Sequence, residues 1–348
     1  FFFHPHPPIP DAQESRGLGD VYKRQLYEGT ILLKADGKFF PELMTHRALR
    51  FIEESKDKPF FLYVPFNIPH YPEEAPKKFA EPFKDIKDDA TRSYATIMYA
   101  TDFYIGEVVN QLDELKLLEN TIIIFMSDNG HSEETNYRIS VDNHLSGYPK
   151  GYFYGASGGG FTGKWTGQKG TFLEGGIRVP AILRYPAKIP QGETRDQIIT
   201  AMDWLPTLAT AANIRIPKDH PVIDGRDLWP MMTGKTKGIP KPSAKLSLNS
   251  DVPLRRRWEQ GLEWQSYFNR DDYINAFFYH GSHGALAAVR AGKYKAMLNP
   301  RITVYDLEKD PKECKPIRNR ELSRKLRGMA VMFQEEMSRD ARKAGEIK

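Results

Sequence analysis

A short apolar run, Thr121-Ile122-Ile123-Ile124-Phe125-Met126, breaks off at Ser127-Asp128-Asn129-Gly130-His131, and this break narrows the choice of folds. The run is β-branched and lacks polar alternation, which is how a strand buried on both faces of a parallel sheet reads. In open α/β sheets, ligands bind beyond the carboxyl ends of the strands. Asp-Asn-Gly at that end sets two oxygen donors at the mouth of a cleft, with a glycine that lets the backbone turn sharply. A metal site at Asp128 and Asn129 is therefore the first expectation. The same stretch closes with Gly167-Gln168-Lys169-Gly170 and Glu174-Gly175-Gly176-Ile177-Arg178-Val179-Pro180.

The chain is 40% hydrophobic over 348 residues, enough to bury a large core and to build one large domain with a smaller one. The net charge of +5 is slight at this size, and no basic stripe interleaved with aromatics marks a nucleic-acid surface. No apolar run is long enough to span a membrane. A single cysteine, Cys314, excludes an internal disulfide and a thiolate zinc site. Residues 1–25 fit neither a signal peptide nor a helix start. They are read as an artefactual or disordered leader, resembling translated adapter sequence, so the chain is expected to be the C-terminal portion of a longer protein.

Thr45 to Ser55 reads as a helix capped by Thr45, followed by a second buried strand, Phe60-Phe61-Leu62-Tyr63-Val64. That strand runs into a proline-stiffened loop with His70 between Pro69 and Tyr71, a rigid mount suited to ligand contact. A histidine that merely bonds within its own loop is the plainer alternative. Ala90 to Leu117 is the longest helical pattern, with Tyr94, Met98, Ile105, Val108, Val109, Leu112 and Leu115 as its stripe. With the flanking strands it makes a β-α-β rhythm. The long segment between His131 and Gly167 reads as a lid or pocket wall, with Asp142 and His144 facing a ligand or simply exposed. Gly158 to Lys164 mimics phosphate-loop spacing, but Trp165 stands where Ser or Thr is needed. Pro180 to Pro186 is a third strand, and Asp203 caps a helix. Beyond a Pro/Lys/Ser-rich linker comes a hairpin turned at Gly292, then a terminal helix from Glu321 to Lys343. The divisions expected are 26–237 for the main domain and 238–348 for linker and C-terminal subdomain.

Four stretches together resemble the sulfatase family of the alkaline-phosphatase-like superfamily: Phe60 to His70, Met126 to Gly130, Lys169 to Pro180, and more weakly Asp224-Gly225-Arg226-Asp227-Leu228 with Val304-Tyr305-Asp306-Leu307. The resemblance implies an α/β fold, a three-layer α/β/α sandwich carrying a small C-terminal α+β subdomain. It implies metal-assisted hydrolysis of a sulfate ester, with Asp128 and Asn129 as ligands of Ca2+ or Mg2+. His70 and Lys169 match the pair that holds the sulfate oxygens, and His131 and His144 join them as substrate-binding candidates. A hard cation, an ammonium and an imidazolium around a sulfuryl group stabilise the charge that develops on its oxygens. Glu174 and Arg178 are read as an ion pair bracing the loop.

The family's nucleophile is a formylglycine made from Cys or Ser in Cys/Ser-x-Pro-x-Arg. That motif is read as absent from this chain: Cys314, followed by Lys315-Pro316, lies in the wrong half and is set aside. The formylglycine is expected upstream, as are the aspartate pair and the Lys-x-His segment that complete such a site, and the chain alone is expected to be inactive. Two alternatives stand beside this reading: a phosphoester hydrolase of the same superfamily, and a non-catalytic binder of sulfated glycans. Asn129, where those phosphoesterases carry histidine, favours calcium over zinc. Aromatics at 152–165, with Trp258, Trp264 and Tyr267, favour a sulfated glycan over a small aryl sulfate, although core packing explains aromatics equally well. The resemblance implies a periplasmic or secreted protein; oligomeric state is left open.

Overall fold

The computed structural model describes residues 26–33, 39–70, 73–132, 139–141, 152–154, 160–217, 223, 225–236, 276–281 and 284–339. The chain divides into two units, residues 1–117 with 136–159 and residues 118–135 with 160–348. The boundary expected at 237/238 falls outside the described residues and remains our proposal.

The first unit is built on two packed helices, α1 (Phe40–Ser55) and α2 (Asp89–Glu114), with the hairpins β1–β2 (Leu26–Glu28, Ile31–Leu33) and β4–β5 (Ile139–Val141, Tyr152–Tyr154). The second hairpin lies within the segment expected to be an irregular lid. α1 starts five residues before the expected cap. Pro41 sits in its first turn, where the missing N–H costs nothing, and this outweighs a threonine cap. Thr45 is instead buried inside the helix, its hydroxyl donating to the Pro41 carbonyl at 2.8 Å. α2 does have a side-chain cap: Asp88 accepts the Thr91 N–H at 2.8 Å. Its buried residues are Ser93, Thr96, Ile97, Ala100, Thr101, Tyr104 and Leu112; of the expected stripe, Leu112 is buried and Met98 is 39% exposed. The partner decides the face: Ile97, Ala100 and Tyr104 pack with Ile68, Ala75 and Phe79.

Phe60 to Val64 is not a strand. It has no ladder partner among the described residues, and Phe61 and Tyr63 are 75% and 70% exposed. An apolar composition selects a strand only where a neighbour takes up its backbone N–H and C=O groups. The segment does lead into buried Ile68 and a cis Ile68–Pro69 bond, and it delivers His70 to the surface.

In the second unit β3 (Ile123–Met126) pairs antiparallel with β6 (Ala181–Arg184), Ile123 opposite Arg184 and Met126 opposite Ala181. The parallel β-α-β pairing expected for β3 is thus not formed; every ladder among the described residues is antiparallel. Behind β6 a small core of Leu228, Met231 and Met232 gathers α4 (Trp204–Ala211) and α5 (Trp229–Met232). Asp203, expected as a helix cap, has another task. Its buried carboxylate accepts the Arg226 backbone N–H at 2.7 Å and pairs with the Arg226 guanidinium at 2.8 Å. This ties the Gly225-Arg226-Asp227 segment to the start of α4.

The C-terminal part of this unit is a four-stranded antiparallel sheet in the order β10-β9-β8-β7, formed by Thr303–Asp306, Tyr294–Met297, Leu286–Ala291 and Phe277–His280. Gly292 turns the β8–β9 hairpin in the left-handed region, φ 54°, as expected. A long helix, α6 (Arg320–Arg339), lays Leu322, Leu326 and Met329 on the sheet residues Val289, Ala296 and Val304. No helix among the described residues is long and apolar enough to cross a membrane.

Candidate active site

Both loops of the candidate site leave the β3–β6 pair. β3 ends at Met126, and Ser127 begins a tight turn in which the Asp128 Oδ1 accepts the Asn129 N–H at 2.9 Å. The Ser127 hydroxyl donates to the Asn129 carbonyl at 3.0 Å, and the Asn129 amide nitrogen donates to the Gly130 carbonyl at 2.9 Å. The asparagine's donor end is therefore spent locally, which leaves its carbonyl oxygen and an exposed carboxylate for a ligand. These are hard oxygen donors, in kind those of calcium or magnesium, and two of the roughly 6–8 that calcium takes. Among the described residues no group of three or more His, Cys, Asp or Glu side chains could hold a metal. The residues present fit the cation in chemistry and would supply part of its shell.

The second loop runs back along the first. The Lys169 N–H donates to the His131 carbonyl at 2.9 Å, and the Gly130 N–H to the Gly176 carbonyl at 3.0 Å. Gly130 is buried, and a Cβ there would overlap the Gly175 carbonyl. Only glycine permits this approach, so the Asp128-Asn129 turn and the Lys169 loop share one backbone framework. Gly167, at φ 90°, gives the Lys169 loop its turn.

Below the loop lies a buried ion set. Glu174, the first residue of the short α3 (Glu174–Ile177), is 2% exposed and meets Lys295 Nζ at 3.0 Å and Arg290 Nη1 at 3.2 Å. Its backbone N–H donates to the Glu313 carboxylate at 2.6 Å. Lys295 Nζ, with no solvent exposure, also approaches Glu313 Oε1 at 2.9 Å, off the line of a hydrogen bond, so that contact is coulombic. Arg178 is only the outer partner, 3.6 Å from Glu174 and 44% exposed, with its guanidinium over the Trp165 ring at 4.1 Å. The brace expected between Glu174 and Arg178 exists, but the shorter contacts come from β8, β9 and the turn after β10. Burial pushes the neighbouring Tyr279 phenol far above its usual range, so it stays neutral.

Of the residues expected at the site, Asp128, Asn129, His131 and Lys169 are brought together in the second unit. His70 is exposed in the first. His144 and Asp142 lie outside the described residues. Sequence reasoning missed Lys295, Arg290 and Glu313, whose only trace in the chain is that charged residues stand inside or beside strand patterns.

Cys314 needs a correction of its own. Residue by residue, Cys314-Lys315-Pro316-Ile317-Arg318 does satisfy the bare spacing Cys-x-Pro-x-Arg. What sets it aside is its order in the chain, after the Asp128 and Lys169 loops and not upstream of them, although its Sγ lies 3.8 Å from the Thr166 hydroxyl beside the second loop. It follows β10 in a turn closed by the Lys315 N–H on Asp310 at 2.6 Å, with Cys314 exposed and its Sγ 3.2 Å from the Lys312 carbonyl. We expect it to take up one equivalent of a thiol reagent, the intact mass beforehand being that of unmodified cysteine. A formylglycine at 314, seen by mass spectrometry, would reverse that reading.

The sulfatase family model matches residues 7–214. The chain belongs to the sulfatase family. It is 30% identical over 280 residues to human steryl-sulfatase, covering 79% of this chain and 43% of the relative. It is 30% identical over 230 residues to the N-acetylgalactosamine-6-sulfatase of Canis lupus familiaris, covering 66% and 38%. The chain thus spans less than half the length of these relatives. Among solved structures, one in complex with k-i-k-neocarrahexaose superposes with a TM-score of 0.63 at 24% identity, covering 88% of this chain and 56% of that one. Another, in complex with its substrate D-glucosamine-2-N, 6-O-disulfate, gives 0.56 at 17% identity over 91% and 73%. These likenesses show the alkaline-phosphatase-like α/β fold expected from the sequence.

Proposed function

We propose that this chain carries part of the active site of a sulfuric ester hydrolase acting on a carbohydrate sulfate. The observation that carries the reading is the shared backbone framework that holds Asp128 and Asn129 beside the Lys169 loop. Asp128 and Asn129 would hold a calcium ion, whose charge stabilises the sulfuryl oxygens. The Lys169 ammonium binds and orients those oxygens from the glycine-flanked loop, and His70 takes the same role by its match to the family's histidine. Asn129, a neutral oxygen donor, supports calcium over zinc and therefore a sulfate over a phosphate ester. The formylglycine nucleophile and an exported location belong to the same proposal by family resemblance.

The test is calorimetric titration of the chain with N-acetylglucosamine 6-sulfate and with the matching 6-phosphate, in calcium and in zinc. We expect calcium-dependent binding of the sulfate ester, lost in Lys169→Ala and in Asp128→Ala. Zinc-dependent binding that prefers the phosphate ester would move the chain to the phosphoester hydrolases.

A further inference from the structure

We propose that the groove where β10 meets the start of α6 is a second anion site, one that grips a sulfated polysaccharide. The choice of ligand rests on the sulfate-ester reading above; the site itself rests on the groove. Its volume is about 630 Å³, within the range of ligand-binding clefts, and its floor includes Ile302 and Ile317. Arg318, Arg320, Arg324 and Arg327 line it, and all four are exposed. Arg320, Arg324 and Arg327 follow one another at i, i+4 and i+7, so they share one face of the helix. Leu322, Leu326 and Met329 are buried on the sheet.

What marks this cluster is its lack of countercharge. Arg92, Arg184, Arg226 and Arg290 each hold a carboxylate. Among the described residues none of the four groove arginines does, although Glu321 is adjacent in sequence; Glu321 pairs with Lys325 at 3.2 Å. Like charges crowded into a concavity raise the local potential and draw an anion from solution. A guanidinium fork matches two oxygens of a sulfate group. From Arg320 to Arg327 the helix rises by about 10 Å, longer than one sulfate, so the groove suits an anion repeated along a chain. The apolar floor offers contact for the C–H faces of sugar rings. Among the described residues no aromatic side chain lines the groove, which argues against single-stranded nucleic acid, whose bases need rings to stack on. Held this way, a polymer keeps its sulfate groups at high local concentration near the chain that would act on them.

The experiment uses the whole chain, a sulfated hexasaccharide from heparin, its desulfated counterpart and a single-stranded DNA decamer, with affinities from fluorescence anisotropy. The variant is Arg324→Gln/Arg327→Gln, two exposed helix positions where glutamine keeps helix propensity. We expect the sulfated hexasaccharide to bind about tenfold or more weaker to the variant, and the wild-type affinity to fall with salt. Binding of N-acetylglucosamine 6-sulfate should be the same in variant and wild type, while Lys169→Ala should lose the monosaccharide and retain the hexasaccharide. Hexasaccharide affinity unchanged in Arg324→Gln/Arg327→Gln overturns the groove, and so does equal affinity for DNA or for the desulfated sugar. If the hexasaccharide depends on the groove while no monosaccharide sulfate binds at all, the groove stands and the active-site reading falls.

Discussion

Replacing Lys295 with methionine should lower the stability of the second unit by about 3–5 kcal/mol, the cost of removing one partner from a buried charge set. Lys295 has no solvent exposure and lies between two carboxylates, Glu174 at 3.0 Å and Glu313 at 2.9 Å. Without it the two negative groups stay in the same buried space, with Arg290 and the half-exposed Arg178 left, among the described residues, to offset them. Denaturant unfolding followed by near-UV circular dichroism would read the loss. Adding Glu313→Gln to Lys295→Met should recover part of it, because the double variant removes the repulsion created by the single one; the cycle isolates that coupling. A loss below about 1 kcal/mol would mean that water reaches the cluster and screens it. The consequence extends to the site. Glu174 starts α3 just beyond the Lys169 loop, so its release should also weaken sulfate binding.

Gly130→Ala should have the second large effect, at the site itself. The new methyl group would overlap the Gly175 carbonyl, a backbone atom that cannot swing aside, and would break the Gly130 N–H bond to the Gly176 carbonyl. We expect a loss of about 3 kcal/mol, the upper end of the usual overpacking range. Calcium and sulfate-ester affinities should fall together, because Asp128-Asn129 and Lys169 are placed by the same contact. Gly170→Ala is the control: a Cβ there meets nothing within 4 Å, so only the strain of its left-handed φ of 85° is added. If both substitutions weaken calcium binding equally, backbone strain and not the contact between loops sets the geometry.

The local signals in the sequence carry unevenly into the structure, for physical reasons. The apolar run ending in Asp128-Asn129 became β3 and its turn because the break from β-branched to turn-forming residues is a local event. The hairpin at Gly292 succeeded for the same reason. Phe60 to Val64 failed because strand formation requires a neighbour, and five apolar residues carry no record of one. α1 began early because Pro41, not Thr45, sets its first turn. The α2 stripe held at Leu112 and slipped at Met98 because the buried face follows the partner, and Ile97 and Ala100 rather than Met98 join the cluster of Ile68, Ala75 and Phe79.

By itself the sequence determined the family and was enough to propose Asp128 and Asn129 as a ligand pair and Lys169 as the candidate lysine, since these lie in short motifs whose residue types and order carry the chemistry. Only the tertiary structure decided that Lys295, 121 residues from Glu174, and Glu313, 139 residues away, form one buried ion set under the Lys169 loop. It alone gathered the arginines of the α6 groove around Ile302 and Ile317. A charged residue on a strand looks like any solvated one until the fold removes the water around it. Burial and countercharge are properties of the packed chain, and no local pattern encodes them.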